Sequence, residues 1–182
     1  MRALLFILVV LLGFQVEAQF IAPFHGVQNQ PKVQLDYWLY NTHASNGSSN
    51  QYPVVAASKA DMDNIFNTNN SNTTLVKSGR TSSSKLLDWQ SSTELNALGI
   101  TPPNSGTYFA IKVQGTFIPL ESGTYYFTLE SDDASDFTIN GTTLISAYVG
   151  QPVPALGTHV GSINLTAGQK YFFEARMQQG GG

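Results

Sequence analysis

From Thr107 to Met177 the chain repeats one pattern: short stretches of alternating side chains broken by turn residues. Phe109, Ile111 and Val113 share one face of the first stretch. Tyr125, Phe127 and Leu129 then alternate with Thr124, Tyr126, Thr128 and Glu130 after a turn over Pro119 to Gly123. Phe137 and Ile139 continue into Asn140-Gly141, the strongest short hairpin signal, and Leu144 to Val149 makes the return strand. A Pro/Gly loop covers 150–158, His159 to Leu165 is a further strand, and YFFEARM closes the series. In that last stretch Tyr171, Phe173, Ala175 and Met177 face one side, and Phe172 on the other argues burial on both faces. A period of two at this spacing defines half-buried antiparallel strands, so the fold class is all-β, an antiparallel sandwich or barrel.

The N-terminal half is less regular. Met1-Arg2, an apolar run from Ala3 to Phe14, and Val16-Glu17-Ala18 read as a secretory leader over 1–18. The run is shorter than a membrane span, and no later segment replaces it. Residues 19–32 are an arm carrying Phe20, Ile21, Phe24 and Val27. One domain then runs over 33–182. Val33, Leu35, Tyr37 and Leu39 alternate with Gln34, Asp36, Trp38 and Tyr40, a strand whose second face either stacks on a ligand or covers a second layer. Residues 41–85 read as a long polar connection around one short helix, Ser58 to Phe66, capped by Ser58 with Asp61 three residues on. Ser91-Ser92-Thr93-Glu94 opens a second helical turn through Leu95 and Leu98, ending at Gly99.

Composition excludes several classes. The chain has no cysteine, so it is neither a disulfide scaffold nor a thiol enzyme. A net charge of −3 argues against nucleic-acid binding and a polybasic membrane surface. No nucleophile elbow or phosphate-binding glycine pattern occurs, and His25, His43 and His159 lack metal-ligand spacing and read as ordinary loop residues. The expectation is a protein without catalytic activity. Sequons at Asn46, Asn69, Asn72, Asn140 and Asn164 are glycosylation candidates if the chain is secreted by a eukaryote-like host.

One cluster carries chemistry. Ser131-Asp132-Asp133-Ala134-Ser135-Asp136 lies between two strands. Its carboxylates repel unless a cation or hydrogen-bond donors intervene. Calcium takes oxygen ligands in flexible geometry, which fits; a solvated acidic turn is the competing reading.

The stretch from Phe109 to Gly141 resembles the protective-antigen-type lectin-like domain, the PA-fourteen domain, found also in yeast flocculins and epithelial adhesins. The resemblance rests on Gly115, Pro119, Gly123, Tyr125, Phe127, the Ser131-Asp132-Asp133 triplet and the Asn140-Gly141 hairpin, in that order, and extends over 107–177. It implies a β-sandwich in which Asp132 and Asp133, joined by a cis peptide, hold calcium that contacts sugar hydroxyls. Asp136 and Ser131 are then additional or supporting candidates. Ala134 departs from the glycine usual after the pair. The lectin branch completes its site from a second loop bearing Asn or Asp and backbone carbonyls near the C-terminus, to which the sequence assigns no residue. Family members also run past a glycine such as Gly180 into another strand, which implies a partial sequence or an open sheet edge.

Two functions follow as expectations: a secreted module recognising glycans or cell-surface ligands with calcium, or a structural subunit of a glycosylated extracellular fibre. The fibre would assemble by the arm adding a strand to a neighbour.

Overall fold

A computed structural model describes residues 7–12, 33–42, 55–83 and 92–180. The strands are β1 (Ile7–Leu12), β2 (Val33–Asn41), β3 (Thr74–Ser83), β4 (Phe109–Phe117), β5 (Gly123–Glu130), β6 (Ser135–Ile139), β7 (Thr142–Ala147), β8 (Val160–Leu165) and β9 (Tyr171–Gln179). The helices are α1 (Lys59–Ile65) and α2 (Ser92–Ala97). Among the described residues they form two antiparallel sheets, one ordered β3-β2-β4-β9-β6-β7 and the other β1-β5-β8.

The inward residues read from the alternation make the core. Leu35, Tyr37, Leu39, Phe109, Ile111, Val113, Tyr125, Phe127, Leu129, Phe137, Ala175 and Met177 are buried in one cluster between the sheets. Phe137 stacks on Phe127 with ring centroids 5.1 Å apart. Gly115 lies directly opposite Phe173, and a Cβ at Gly115 would come within 2.7 Å of that ring. The Asn140-Gly141 turn has φ of 45° and 79°, the left-handed pair that a two-residue type I′ hairpin requires.

The second face of the larger sheet is covered at one end by α1. Ser58 caps it: its Oγ accepts from Asp61 N–H at 3.2 Å and donates to Asp61 Oδ2 at 2.8 Å. Met62 and Ile65 bury against Ala56, Ala110 and Ala134, with Phe66 packed beside them. Tyr40 is therefore buried, edge-on to Phe66 at 5.3 Å, while Trp38 is half-buried with Lys112 Nζ 4.6 Å from its ring. That face is a covered layer, which settles the open reading of Tyr40. Phe172, by contrast, is 50% exposed and lies outside the cluster packed around α1. Burial of β9 on both faces begins at Ala175, which corrects the expectation for Phe172.

The polar connection also contains a strand that the sequence reading missed. β3 pairs with β2 along its whole length, as an edge strand exposed over nearly all its described side chains. An edge strand with little to bury shows no apolar alternation, so only its backbone pairing reveals it. Ile7–Leu12, within the run read as a leader, pairs with β5 from Ile7↔Glu130 to Leu12↔Tyr125. The cleavage sequence, the arm over 19–32 and the polar run over 43–54 lie outside the described residues, as do Ser91, His25, His43 and Asn46. No helix among the described residues is long and apolar enough to cross a membrane.

Candidate functional site

The turn from β5 to β6 carries the acidic cluster. β2, β5 and β9 end here, and β4 and β6 begin here, so their termini converge. Asp133 N–H donates to Gln178 O at 3.0 Å, and Gln178 N–H returns a bond to Ala134 O at 2.8 Å. This pair locks the turn to the end of β9. Ser131 is buried, and its Oγ hydrogen-bonds the Asp133 carbonyl at 2.8 Å and the Ser135 hydroxyl at 2.6 Å. The Asp132-Asp133 peptide is cis, as the resemblance implies.

Both oxygens of Asp133 are held. Gln151 N–H donates to Oδ1 at 3.1 Å and Gly180 N–H to Oδ2 at 2.7 Å. Each carboxylate oxygen keeps a second lone pair for another partner. Asp132 and Asp133 are both half-buried, so the pair stays partly open to solvent. Gly150 borders it: a Cβ there would lie 3.4 Å from Val55 and 3.7 Å from Asp133 Oδ1.

Asp136 is placed differently from the pair. It is buried, with Arg176 Nε on Oδ1 at 2.8 Å, Arg176 Nη2 on Oδ2, and the Tyr148 hydroxyl on Oδ2 at 2.8 Å. Arg176 also reaches Asp63 on α1 at 2.7 Å. Burial works against the Arg176 charge, but its hydrogen bonds to Asp136 and Asp63 hold the guanidinium pKa above its ordinary value. Burial, reinforced by the bond to Asp136, pushes the Tyr148 hydroxyl up. Asp136 thus fastens α1 and Tyr148 to the sheet, with Arg176 on both of its oxygens and Tyr148 on one. Ser131 lies behind the pair, bonded to the Asp133 carbonyl.

Three buried side-chain atoms among the described residues have no hydrogen-bond partner: Thr42 Oγ1, Gln151 Nε2 and Gln179 Oε1. All belong to this end of the molecule. Gln151 is bonded to Asp133 through its backbone, and Gln179 immediately precedes Gly180. Thr42 follows β2, whose Asn41 pairs with Phe109, itself the partner of Gln179. A buried polar atom left unpaired is costly, so such atoms mark places where a further partner belongs.

Calcium fits this donor set better than a nitrogen- or sulfur-binding metal. The two carboxylates are hard oxygen donors, and Gln179, next to the Gly180 that bonds Asp133, carries an unpaired buried oxygen at the same end of the sheet. Among the described residues no group of three or more His, Cys, Asp or Glu could hold a metal. Any ion at the pair therefore relies on neutral oxygens beside the two aspartates. Gln151, Gln179 and Gly180 were not singled out from sequence. A polar residue ending an apolar strand before glycines is the signal that could have found Gln179; nothing local marks Gln151.

His159, read as an ordinary loop residue, instead partners the buried Glu130, with Nδ1 2.8 Å from Oε2. Of the described sequon residues, Asn69 and Asn72 are exposed between α1 and β3. Asn140 and Asn164 are exposed at the far end, where Asn140 Oδ1 accepts from Phe172 N–H at 2.9 Å and Asn164 Oδ1 from the Thr124 hydroxyl at 2.7 Å.

Two packed antiparallel sheets with an aspartate pair at one end define a lectin-like β-sandwich. The family model for the PA14 domain matches residues 91–182, and the chain belongs to that family. The Epithelial Adhesin 6 A domain from Candida glabrata, solved in complex with Galb1-3GlcNAc, shares the fold at TM-score 0.53 and 18% identity, with 83% of this chain and 76% of that chain covered. The PA14 domain of MpAFP antifreeze protein aligns over 90% of this chain and 82% of that chain at 20% identity and TM-score 0.48. A GH31 alpha-xylosidase from Xanthomonas citri aligns over 81% of this chain but 12% of its own, at 12% identity and TM-score 0.43. No curated protein sequence matches the chain.

Proposed function

We propose that the protein is a secreted, non-catalytic module that recognises glycans or cell-surface ligands, with calcium held at Asp132 and Asp133. The observation that carries this reading is the Asp133 carboxylate oriented by two backbone amides, one of them from Gly180, which follows Gln179 with its buried, unpaired Oε1. Bound calcium would supply coordination positions open to sugar hydroxyls. The chain's own residues do the rest: Gln151 and Gly180 fix the Asp133 carboxylate, Ser131 braces the turn, and Gln179 offers a neutral oxygen. The glycan in the adhesin complex supports the same ligand class.

Thermal unfolding with millimolar calcium and then with chelator tests the ion. A ligand at a hundredfold excess over Kd stabilises by about 2.7 kcal/mol, which is a rise of roughly 5–10 °C for a domain of this size. A glycan array with and without calcium tests the ligand. A folded sample showing no calcium-dependent hit sinks the lectin reading.

A structural subunit is the second reading, favoured by one observation. The edge of β5 accepts Ile7–Leu12 as an added strand over six register pairs, from outside the 33–182 sandwich. Removal of residues 1–18 would free that edge for the arm of a neighbouring copy, and fibres would grow that way. Sedimentation and electron microscopy of the processed protein test this reading, and monomers at all concentrations count against it.

A further inference from the structure

The loop from Tyr148 to His159 joins β7 to β8 and is bonded to three carboxylates on the β5–β6 stretch. The Tyr148 hydroxyl meets Asp136 at 2.8 Å, Gln151 N–H meets Asp133 at 3.1 Å, and His159 meets Glu130 twice. Glu130 ends β5 and is 0% exposed. Its Oε1 accepts from His159 N–H at 2.9 Å and from the Thr128 hydroxyl at 3.0 Å, and its Oε2 lies 2.8 Å from His159 Nδ1. In the tautomer protonated at Nδ1, the ring donates to this carboxylate. A carboxylate withdrawn from water needs its lone pairs filled. Two of its three donors come from the far end of this loop and one from its own strand.

We propose that His159 is a positioning residue for the candidate ion site. By closing the loop onto Glu130 it holds Gln151 N–H against Asp133 Oδ1 and so fixes the carboxylate that the ion would meet. The inference rests on the calcium reading and adds a residue to it that contacts neither aspartate of the pair. Groups that orient ligating side chains in this indirect way alter metal affinity about tenfold or more when removed.

The test is calorimetric titration of calcium into the 182-residue chain, with melting measured in chelator. His159→Ala should weaken calcium binding about tenfold, and His159→Asn, whose amide can replace the Nδ1 donor, should restore it. Thr128→Ala removes a donor from Glu130 without touching the loop. It should lower the chelator melting temperature and leave calcium affinity unchanged. Equal effects of His159→Ala and Thr128→Ala on affinity, or no rescue by His159→Asn, overturn the proposal. Should His159→Ala not fold, His159→Phe keeps the ring volume without the donor. If the unaltered chain binds no calcium, the calcium reading fails by itself. Exchange of the Gln151 amide then decides the positioning role. Faster exchange in His159→Ala but not in Thr128→Ala supports it, and equal rates overturn it.

Discussion

Asp133 and Gly180 are separated by 47 residues, yet the Gly180 N–H donates to Asp133 Oδ2 at 2.7 Å. With Gln151 N–H on Oδ1, the carboxylate faces a donor on each side. Asp133→Asn would turn its NH2 toward one of them, leaving that amide unpaired. The expected loss is about 1–3 kcal/mol in chelator, read from urea unfolding, together with loss of any calcium-dependent rise in melting temperature.

Gln179 gives a prediction read in two conditions. Gln179→Met keeps the length of the side chain and removes the unpaired buried oxygen together with the Nε2 bond to Gly180 O at 3.1 Å. The two losses act in opposite directions on stability without calcium, so the variant is expected to stay within about 1 kcal/mol of the parent in chelator and to bind calcium more weakly. Paired melts in calcium and chelator measure both. An unchanged calcium-dependent rise would show that Oε1 contributes nothing to ion binding.

Gly115 is required by packing. A methyl group there meets the Phe173 ring at 2.7–2.8 Å and Leu35 at 3.2 Å. Gly115→Ala should cost about 1–3 kcal/mol through overpacking. Combining it with Phe173→Leu should cost less than the two changes summed, because they share one space. A double-mutant cycle by urea unfolding measures the difference.

Asp63 predicts a pH dependence. Burial raises its pKa, but hydrogen bonds from Lys59 at 2.8 Å and Arg176 at 2.7 Å outweigh that and hold it below the ordinary value. A depressed carboxylate contributes stability above its unfolded value, near 3.9, and loses that contribution as pH falls through the folded value. The side chain is 49% exposed, so the contribution is at most about 1 kcal/mol. Asp63→Asn should therefore be less stable than the parent at pH 7, with the gap closing below about pH 4. Urea midpoints at pH 7, 5 and 3 check this.

The alternation of Phe109 to Val113 and Tyr125 to Leu129 revealed the inner faces because burial there is one-sided. Ser58 and Asp61 revealed a helix because capping chemistry is local. β3 stayed hidden because its pairing is a matter of backbone, and the strand buries little side chain. The site divided the same way. Asp132 and Asp133 are adjacent and stand out as a charge cluster. Asp136 looks identical in sequence, but its fate was set by Arg176, 40 residues away. Gln151, His159 and Gly180 reach the cluster only through the folding of two distant segments.

β9 lies between β4 and β6, with ladders on both sides, and its end leads directly into the Gly180 bond to Asp133. Mechanical tension applied to the polypeptide at Gly180 would load both ladders in shear along their length. The first contacts to feel that pull would be the two on Gly180 itself, its N–H bond to Asp133 Oδ2 and its carbonyl bond from Gln179 Nε2. A domain loaded from this point would feel force at its candidate ligand site before its core yields.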